Sequence, residues 1–381
     1  MTSEHTIFLV PGFFGFANLG GLRYFAHVTE KLESALSERG MRARIVPVAT
    51  SPTGSIRQRA ANLLETVLEH APRDDSPIHL IGHSTGGLDA RMLVTPAVSL
   101  TNGSDPEPMV DRVRSVLTVS TPHYGTPLAS FFSTVLGAQM LRLFSLSTVY
   151  VLRFGHMPLS VMLKLGAVFV RLDDRLGFKR TLADQVFDEL LGDFSSERRA
   201  EVHKLLEQMT GDQSLFTQLK PEGVDVFNAS ATDRPGVSYG CVITAAEPTG
   251  LRSLTRVGLD PYLQASHALF ASLYRVTGRR ENRGPRPVPL PAEVESRLGD
   301  LLGEPLGHRD NDGVVPSRFQ VWGEPIHAAR ADHLDTVGHF DGRDHDPPHY
   351  DWLASGSGFS RDEFDRLWCD VADFLVRAAD G

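Results

Sequence analysis

Apolar residues in the first third of the chain alternate between two spacings. Short, nearly continuous runs at Thr6–Val10, Arg42–Val48, Ile78–Ile81 and Val113–Val119 read as buried strands. Between them the apolar positions recur at helical spacing. Phe25, Val28, Leu32 and Leu36 mark one helix within Tyr24–Arg39, with Gly40 as its stop. Ile56, Ala60, Leu63, Leu64 and Val67 mark a second within Ser55–His70, and Gly87–Val94 reads as a third. This βαβα alternation predicts an α/β fold: a mostly parallel sheet covered by helices on both faces.

After Pro127 the texture changes. Helical patterns fill residues 137–232, with few convincing strands. Strand-like segments return at Val237–Ala245 and Arg318–Trp322. Arg361–Ala379 closes the chain as a helix whose apolar face carries Phe364, Leu367, Trp368, Val371 and Leu375. The expected organisation is one core, built from residues 1–136 and 233–381, with a helical lid or cap inserted at 137–232. Arg275–Pro291, rich in Arg, Gly and Pro, reads as an exposed loop.

Composition narrows the function classes. The 381 residues are 41% hydrophobic and 22% charged, ordinary for a globular protein. A formal net charge of −9 argues against a nucleic-acid partner, which needs a basic surface. Met140–Val170 is apolar, but Arg142, Arg153 and Lys164 interrupt it and Gly155 and Pro158 break it. No uncharged run reaches the ~20 residues that span a bilayer. Polar Met1–Thr6 leads straight into the first strand, without the features of a signal peptide. A cytoplasmic location is the expectation, with export of a processed form left open. Two distant cysteines, Cys241 and Cys369, suggest reduced thiols rather than a disulfide framework.

The pattern G-x-S-x-G occurs twice, and context separates the two. Gly82-His83-Ser84-Thr85-Gly86 follows the strand Ile78–Ile81 and precedes the helix Gly87–Val94. That is the setting of a nucleophile elbow, whose sharp turn lifts a serine hydroxyl clear of the sheet. Gly236-Val237-Ser238-Tyr239-Gly240 has a polar loop before it and a strand after it, so Ser238 reads as a strand entry. A nucleophilic serine also needs donors for the oxyanion it creates. The backbone N–H of Thr85 is one candidate. Phe13, in the early loop Pro11-Gly12-Phe13-Phe14-Gly15, is the other.

A serine hydroxyl becomes a nucleophile when a histidine takes its proton and a carboxylate orients that histidine. Among 15 histidines, His333 in Ala331-Asp332-His333-Leu334-Asp335 is the favoured base, with His339, His345 and His349 in reserve. Asp312, in the tight turn Asp310–Pro316, is the favoured acid. His83 and His123, beside glycine-rich turns, read as structural.

Pro11–Gly15, Gly82–Gly87, Ser120-Thr121-Pro122-His123-Tyr124-Gly125-Thr126, Asn311–Val315 and Asp332–Asp335 together resemble the bacterial triacylglycerol lipases of the α/β-hydrolase fold. The motifs stand in that family's order over most of the chain. The resemblance implies Ser84, Asp312 and His333 as a catalytic triad. It departs at Pro11-Gly12, where the family has His-Gly, and at Thr85, where the family commonly has Gln. These lipases often hold a structural Ca²⁺ that steadies the histidine loop. Asp335, two residues beyond His333, occupies one ligand position, and Asp260 is the candidate for a second.

The insertion carries Met140, Leu141, Leu143, Phe144 and Leu146, then Val161, Met162, Leu165, Val168 and Phe169. Either a lid that turns its apolar face toward a lipid surface or a fixed wall of an acyl pocket accounts for them. Both favour a lipid-like ester substrate. The chemistry expected is serine ester hydrolysis, as a lipase or carboxylesterase. A polyester depolymerase, an acyltransferase on the same triad and a non-catalytic binding protein are the alternatives.

Overall fold

The computed structural model describes residues 4–380 apart from 20, 73, 97, 99, 101–105, 171–177, 280–288 and 347, and only the backbone at 135–136, 168–170 and 178–182. Six strands form one sheet: β1 (His5–Val10), β2 (Ala43–Pro47), β3 (Ile78–His83), β4 (Val113–Val119), β5 (Ser238–Thr244) and β6 (Glu324–Ala329). Their order is β2-β1-β3-β4-β5-β6, and every neighbouring pair is parallel. The α/β architecture expected from the alternating pattern is therefore the one found.

Period-two geometry splits β1 between two cores. Ile7 and Leu9 join Val28, Leu32 and Leu36 of helix α1 (Val28–Glu38), with Phe364, Leu367 and Trp368 of the C-terminal helix. Phe8 and Val10 point the other way. They meet Leu63, Leu64 and Val67 of α2 (Ile56–His70) and Ala90, Leu93 and Val94 of α3 (Gly86–Val94). Both faces of the sheet are thus covered, which is why its central strands are mostly apolar.

Two segments differ from the sequence-based expectation. The first helix begins at Val28, not Tyr24, because His27 takes a left-handed conformation (φ 60°) and Ala26 N–H bonds Val337 O. Arg318–Trp322 is no strand: Ser317–Gln320 is a 3₁₀ turn, and the sixth strand follows it at Glu324. The i, i+2 spacing of Phe319 and Val321 imitated a strand, but Gln320 between them is wholly buried. Pro325 and the two alanines hid the true strand. It lies at the sheet's edge, as does Pro47 of β2, where a missing N–H costs no ladder bond.

The insertion is helical, with α4 (Val135–Phe154), α5 (Leu159–Val170), α6 (Phe178–Gly192) and α7 (Ser196–Gly211). Met140, Leu143, Leu146, Val161, Met162 and Leu165 are buried and continuous with the core that includes α8 (Pro261–Thr277). The side chains of Val168 and Phe169 lie outside the described residues, as does most of the loop expected at 275–291. Among the described residues no helix is long and apolar enough to cross a membrane. Cys241 and Cys369 are both free. The chain ends in α9 (Arg361–Asp380), packed against α1 and the sheet.

Candidate active site

Ser84 stands in the turn between β3 and α3 with φ 54°, a left-handed conformation rare for a residue with a side chain. Its neighbours make the turn feasible. A Cβ on Gly82 would lie 2.4 Å from the Gly86 backbone, and one on Gly86 would lie 2.3 Å from Val10 O. Glycine is required at both positions so that β3, the turn and β1 can pass this closely. Ser84 N–H holds Val119 O at 2.8 Å, which ties the turn to β4. Ser238, the serine of the second pentapeptide, opens β5.

The structure brings Ser84, His333 and Asp312 together. His333 Nε2 is 2.9 Å from Ser84 Oγ, and His333 Nδ1 is 2.7 Å from Asp312 Oδ2. Asp312 is completely buried, and donors surround its carboxylate. Oδ1 accepts from the N–H groups of Val314 (2.9 Å) and Val315 (2.7 Å). Oδ2 also accepts from Thr244 Oγ1 (2.8 Å) and Gln320 Nε2 (3.1 Å). An acceptor at Nδ1 fixes the proton there, so Nε2 presents its lone pair to the serine. Gln320, in the segment misread as a strand, is therefore part of the site's support.

A second histidine holds the first. His83 Nε2–H donates to His333 O at 2.8 Å, which leaves its Nδ1 to accept from Tyr24 O–H at 2.7 Å. Tyr24 in turn accepts from the Gly12 N–H, and burial pushes its phenol far above the ordinary range. The Phe13 loop, the Ser84 turn and His333 are thus joined by one buried chain. His123 is likewise structural: Arg91 donates to its Nδ1 (3.2 Å), and its Nε2–H faces Thr118 Oγ1 (3.1 Å). The reserve bases lie elsewhere, His339 on Tyr24 O and His349 on Gly338 O, while His345 is exposed.

Phe13 and Thr85 both line the pocket that holds Ser84 and His333. Among the described residues no backbone acceptor takes either N–H. The loop carrying Phe13 is clamped by Arg59 of α2. This guanidinium, wholly buried, donates to Pro11 O (2.9 Å) and Gly12 O (3.1 Å) and pairs with Asp89 of α3 at 2.7 Å. Burial raises the Asp89 carboxyl to about 6 against the opposing pull of Arg59. Sequence gave no signal for this clamp, since a lone Arg on an amphipathic helix reads as a surface residue.

The pocket is about 90 Å³ and almost wholly apolar, lined by Phe13, Phe132, Leu141, Phe144, Leu273 and Trp352 among others. Three of these residues, Phe132, Leu141 and Phe144, come from the insertion or its approach. A serine beside an oriented imidazole, opening on an apolar slot that Phe13 and Thr85 also line, can transfer an acyl group.

Asp335 and Asp260 do not come together. Asp260 is exposed and caps α8, accepting from the N–H groups of Tyr262 and Leu263. Its Asp-Pro-Tyr sequence is a helix start, and that local use explains the carboxylate. Asp335 instead meets Asp332 and Asp351, whose ligand oxygens all lie within 4.8 Å of one another. Burial drives all three carboxyls up, Asp332 to about 7, and the charge of Asp332 raises Asp335 and Asp351 further. Asp332 Oδ2 is buried, with the Trp352 indole N–H as a polar neighbour. Three converging hard oxygens fit a divalent cation such as Ca²⁺.

Three solved structures align over almost the whole chain. EstA of Clostridium botulinum is 18% identical with a TM-score of 0.56, over 97% of this chain and 87% of its own. Lipase 1 of Pelosinus fermentans is 18% identical with a TM-score of 0.54, over 98% of each chain. The Staphylococcus hyicus lipase is 16% identical with a TM-score of 0.51, over 99% of this chain and 96% of its own. The chain has the α/β-hydrolase fold. Residues 2–154, which hold Phe13 and the Ser84 elbow, match the family described as "Putative serine esterase (DUF676)". No curated protein sequence matches the chain. The resemblance to bacterial lipases thus extends from the motifs to the backbone.

Proposed function

We propose that this α/β-hydrolase is a serine hydrolase of carboxylic esters with a hydrophobic acyl group. The observation that carries the reading is the unbroken line Asp312–His333–Ser84, opening directly onto an apolar pocket. Ser84 Oγ attacks the ester carbonyl carbon while its proton passes to His333 Nε2. Asp312 stabilises the imidazolium that forms. The N–H groups of Phe13 and Thr85 take the oxyanion, the largest electrostatic contribution to such a reaction. Collapse of the tetrahedral intermediate expels the alcohol, protonated by His333, and leaves an acyl group on Ser84. Water, activated by the same histidine, then releases the acid.

The test is mass-spectrometric mapping after treatment with a fluorophosphonate, alongside turnover of p-nitrophenyl esters from acetate to palmitate, in solution and in emulsion. An adduct on Ser84 with turnover of the longer esters supports the proposal. Absence of any adduct would sink it, and a preference for acetate would leave a plain esterase. Triacylglycerol cleavage is the finer form of the proposal, and a rise in rate at the emulsion interface is its mark.

The same proposal includes a structural Ca²⁺ held by Asp332, Asp335 and Asp351. It would supply positive charge to three carboxylates that burial otherwise drives toward protonation, and so fasten the His333 loop to the segment before α9. Asp332 N–H bonds Asp335 Oδ2 at 2.7 Å, so this loop is already folded around the cluster. Chelation should lower the melting temperature, and Asp351→Asn should remove that response. An unchanged melting curve with EDTA excludes the ion.

A further inference from the structure

A line of hydroxyls leads to the Asp312 carboxylate from the end of β4. Ser120 follows β4 and Thr244 ends β5, on neighbouring strands at the carboxyl edge of the sheet. Ser120 N–H bonds Val242 O at 3.0 Å. Ser120 Oγ lies 2.9 Å from Thr244 Oγ1, which in turn lies 2.8 Å from Asp312 Oδ2. Ser120, Thr244, Gln320 and Asp312 are all fully buried. Gln320 pins the Thr244 backbone with both ends of its amide. Its Oε1 accepts from Thr244 N–H (2.7 Å), and its Nε2 donates to Thr244 O (3.1 Å).

We propose that Ser120 and Thr244 form a hydroxyl relay that aims Asp312 Oδ2 at His333, which makes Ser120 a positioning residue for the hydrolysis. The inference rests on the ester-hydrolase reading and extends its triad outward through Thr244 to Ser120. Proton count sets the direction of the relay. Thr244 Oγ1 has one proton and two acceptors in reach, Asp312 Oδ2 at 2.8 Å and Gln320 Oε1 at 3.1 Å. The carboxylate oxygen is the nearer and the stronger acceptor, and Gln320 Oε1 already holds Thr244 N–H. With that proton committed to Asp312, Thr244 Oγ1 accepts from Ser120, so Ser120 Oγ–H is the donor. Its donation polarises the threonine hydroxyl and tightens the bond to Asp312. The backbone of Ser120 carries a second argument. Its φ of 52° is left-handed, and among the described non-glycine residues only His27 and Ser84 share a positive φ. Glycine would adopt that conformation without strain, whereas a serine keeps it only where its surroundings hold it there. Neither Ser120 nor Thr244 lines the Ser84 pocket, so the pair acts on the reaction through Asp312.

Near-isosteric changes isolate the two hydroxyls. kcat and KM for p-nitrophenyl butyrate are measured per mole of Ser84 titrated with a short fluorophosphonate, so that unfolded protein is not counted. Thr244→Val should lower kcat about tenfold, the scale of one hydrogen bond to a carboxylate, with KM within about twofold. Thr244→Ser should restore kcat. Ser120→Ala should lower kcat about threefold, as the loss of cooperative support rather than of a direct contact. Ser120→Ala with Thr244→Val should be no slower than Thr244→Val alone, because the serine acts through the threonine. The proton between His333 Nδ1 and Asp312 gives a reading independent of turnover. Its low-field ¹H resonance should move in Ser120→Ala and in Thr244→Val, and return in Thr244→Ser. An unchanged kcat and resonance in Ser120→Ala, or additive losses in the double variant, would overturn the relay. Failure of the ester-hydrolase reading is a separate result: no butyrate turnover and no adduct in the unmodified protein.

Discussion

At the carboxyl edge of the sheet, directional contacts hold every functional atom. Both oxygens of Asp312 are filled by donors, His333 is held at its ring and its carbonyl, and Arg59 grips the oxyanion loop. The insertion has directional bonds at its margins, Asn228 Nδ2–H to His123 O (2.8 Å) and Lys164 to Glu189 (2.7 Å) among them, but the inner face of α4 and α5 is held by apolar contact. Along the inner face of α4 and α5, Met140, Leu146, Val161 and Met162 are buried against one another. The hydroxyls of Ser147 and Thr148 turn back to their own helix, on Leu143 O and Phe144 O. Hydrogen bonds fix angles, whereas apolar packing fixes little beyond volume. Chemistry is therefore specified to a fraction of an ångström in one region, while substrate shape is left adjustable in the other.

The largest effect should come from breaking the rigid side at its centre. Asp312→Asn keeps the size of the side chain but offers His333 Nδ1 a donor in place of an acceptor, favouring the wrong tautomer. kcat should fall by about 10⁴-fold, as loss of the orienting acid does in a serine triad. Far-UV circular dichroism should be unchanged. Loss of only tenfold would mean that Asp312 supports the fold more than the base.

Next in size is the clamp. Arg59→Met strands Asp89 in the core without its cation, and removing one partner of a buried pair costs about 3–5 kcal/mol. Urea unfolding should show that loss. Arg59→Met with Asp89→Leu should regain most of the stability, because no charge is left unpaired. It should not regain kcat, since the carbonyls of Pro11 and Gly12 still lack their donor. Recovery of both together would refute a role for Arg59 in placing the Phe13 N–H.

The two regions were also unequally legible in the sequence. Ser84, Asp312, His333 and Phe13 stood out because elbows and tight turns demand particular residues at fixed spacing: glycines at 82 and 86, an Asx turn at 312. The central strands were legible because strands buried on both faces carry nearly continuous apolar runs, whereas the edge strand Glu324–Ala329 was not. The lapses have a common cause. Gln320, Asp351 and Arg59 act through contacts with residues distant in sequence, and nothing local distinguishes a buried glutamine from an exposed one. Asp260 misled for the opposite reason, since its local duty as a helix cap was enough to explain it. In the insertion, apolar periodicity showed helices but not which ring would meet which.

Acid should act on the core before the insertion. Burial lowers His79 to about 3 and His339 to about 4, and holds His83 well below its ordinary value. The insertion's His156 is exposed and His203 only half-buried. An unfolded histidine titrates near 6.5, so below that pH the unfolded chain binds protons these rings refuse. Stability is then lost as pH falls from about 6.5 toward 4, by up to about 1.4 kcal/mol per pH unit for each such ring. His79→Gln should flatten the dependence by about one proton in urea titrations between pH 6 and 4.5. An unchanged slope would show that His79 is already charged in the folded protein.

The smallest expected effect bears on whether the adjustable side also moves. Leu159 and Leu163 stand on the outer face of α5, 39% and 55% exposed, while Val161, Met162 and Leu165 of the same helix are buried. If α5 belongs to a lid, its outer leucines are what a lipid surface meets first. Replacing both with serine should shift stability by no more than about 0.5 kcal/mol, as surface changes do. Turnover of dissolved p-nitrophenyl butyrate should also stay the same, because neither side chain reaches the Ser84 pocket. On emulsified tributyrin the rate should drop several-fold, because two partly exposed leucines recover only a fraction of the ~1.5–3 kcal/mol that full burial of a leucine contributes. Equal rates on both substrates would make α5 a fixed wall, and the difference between the two regions would then be one of specificity alone.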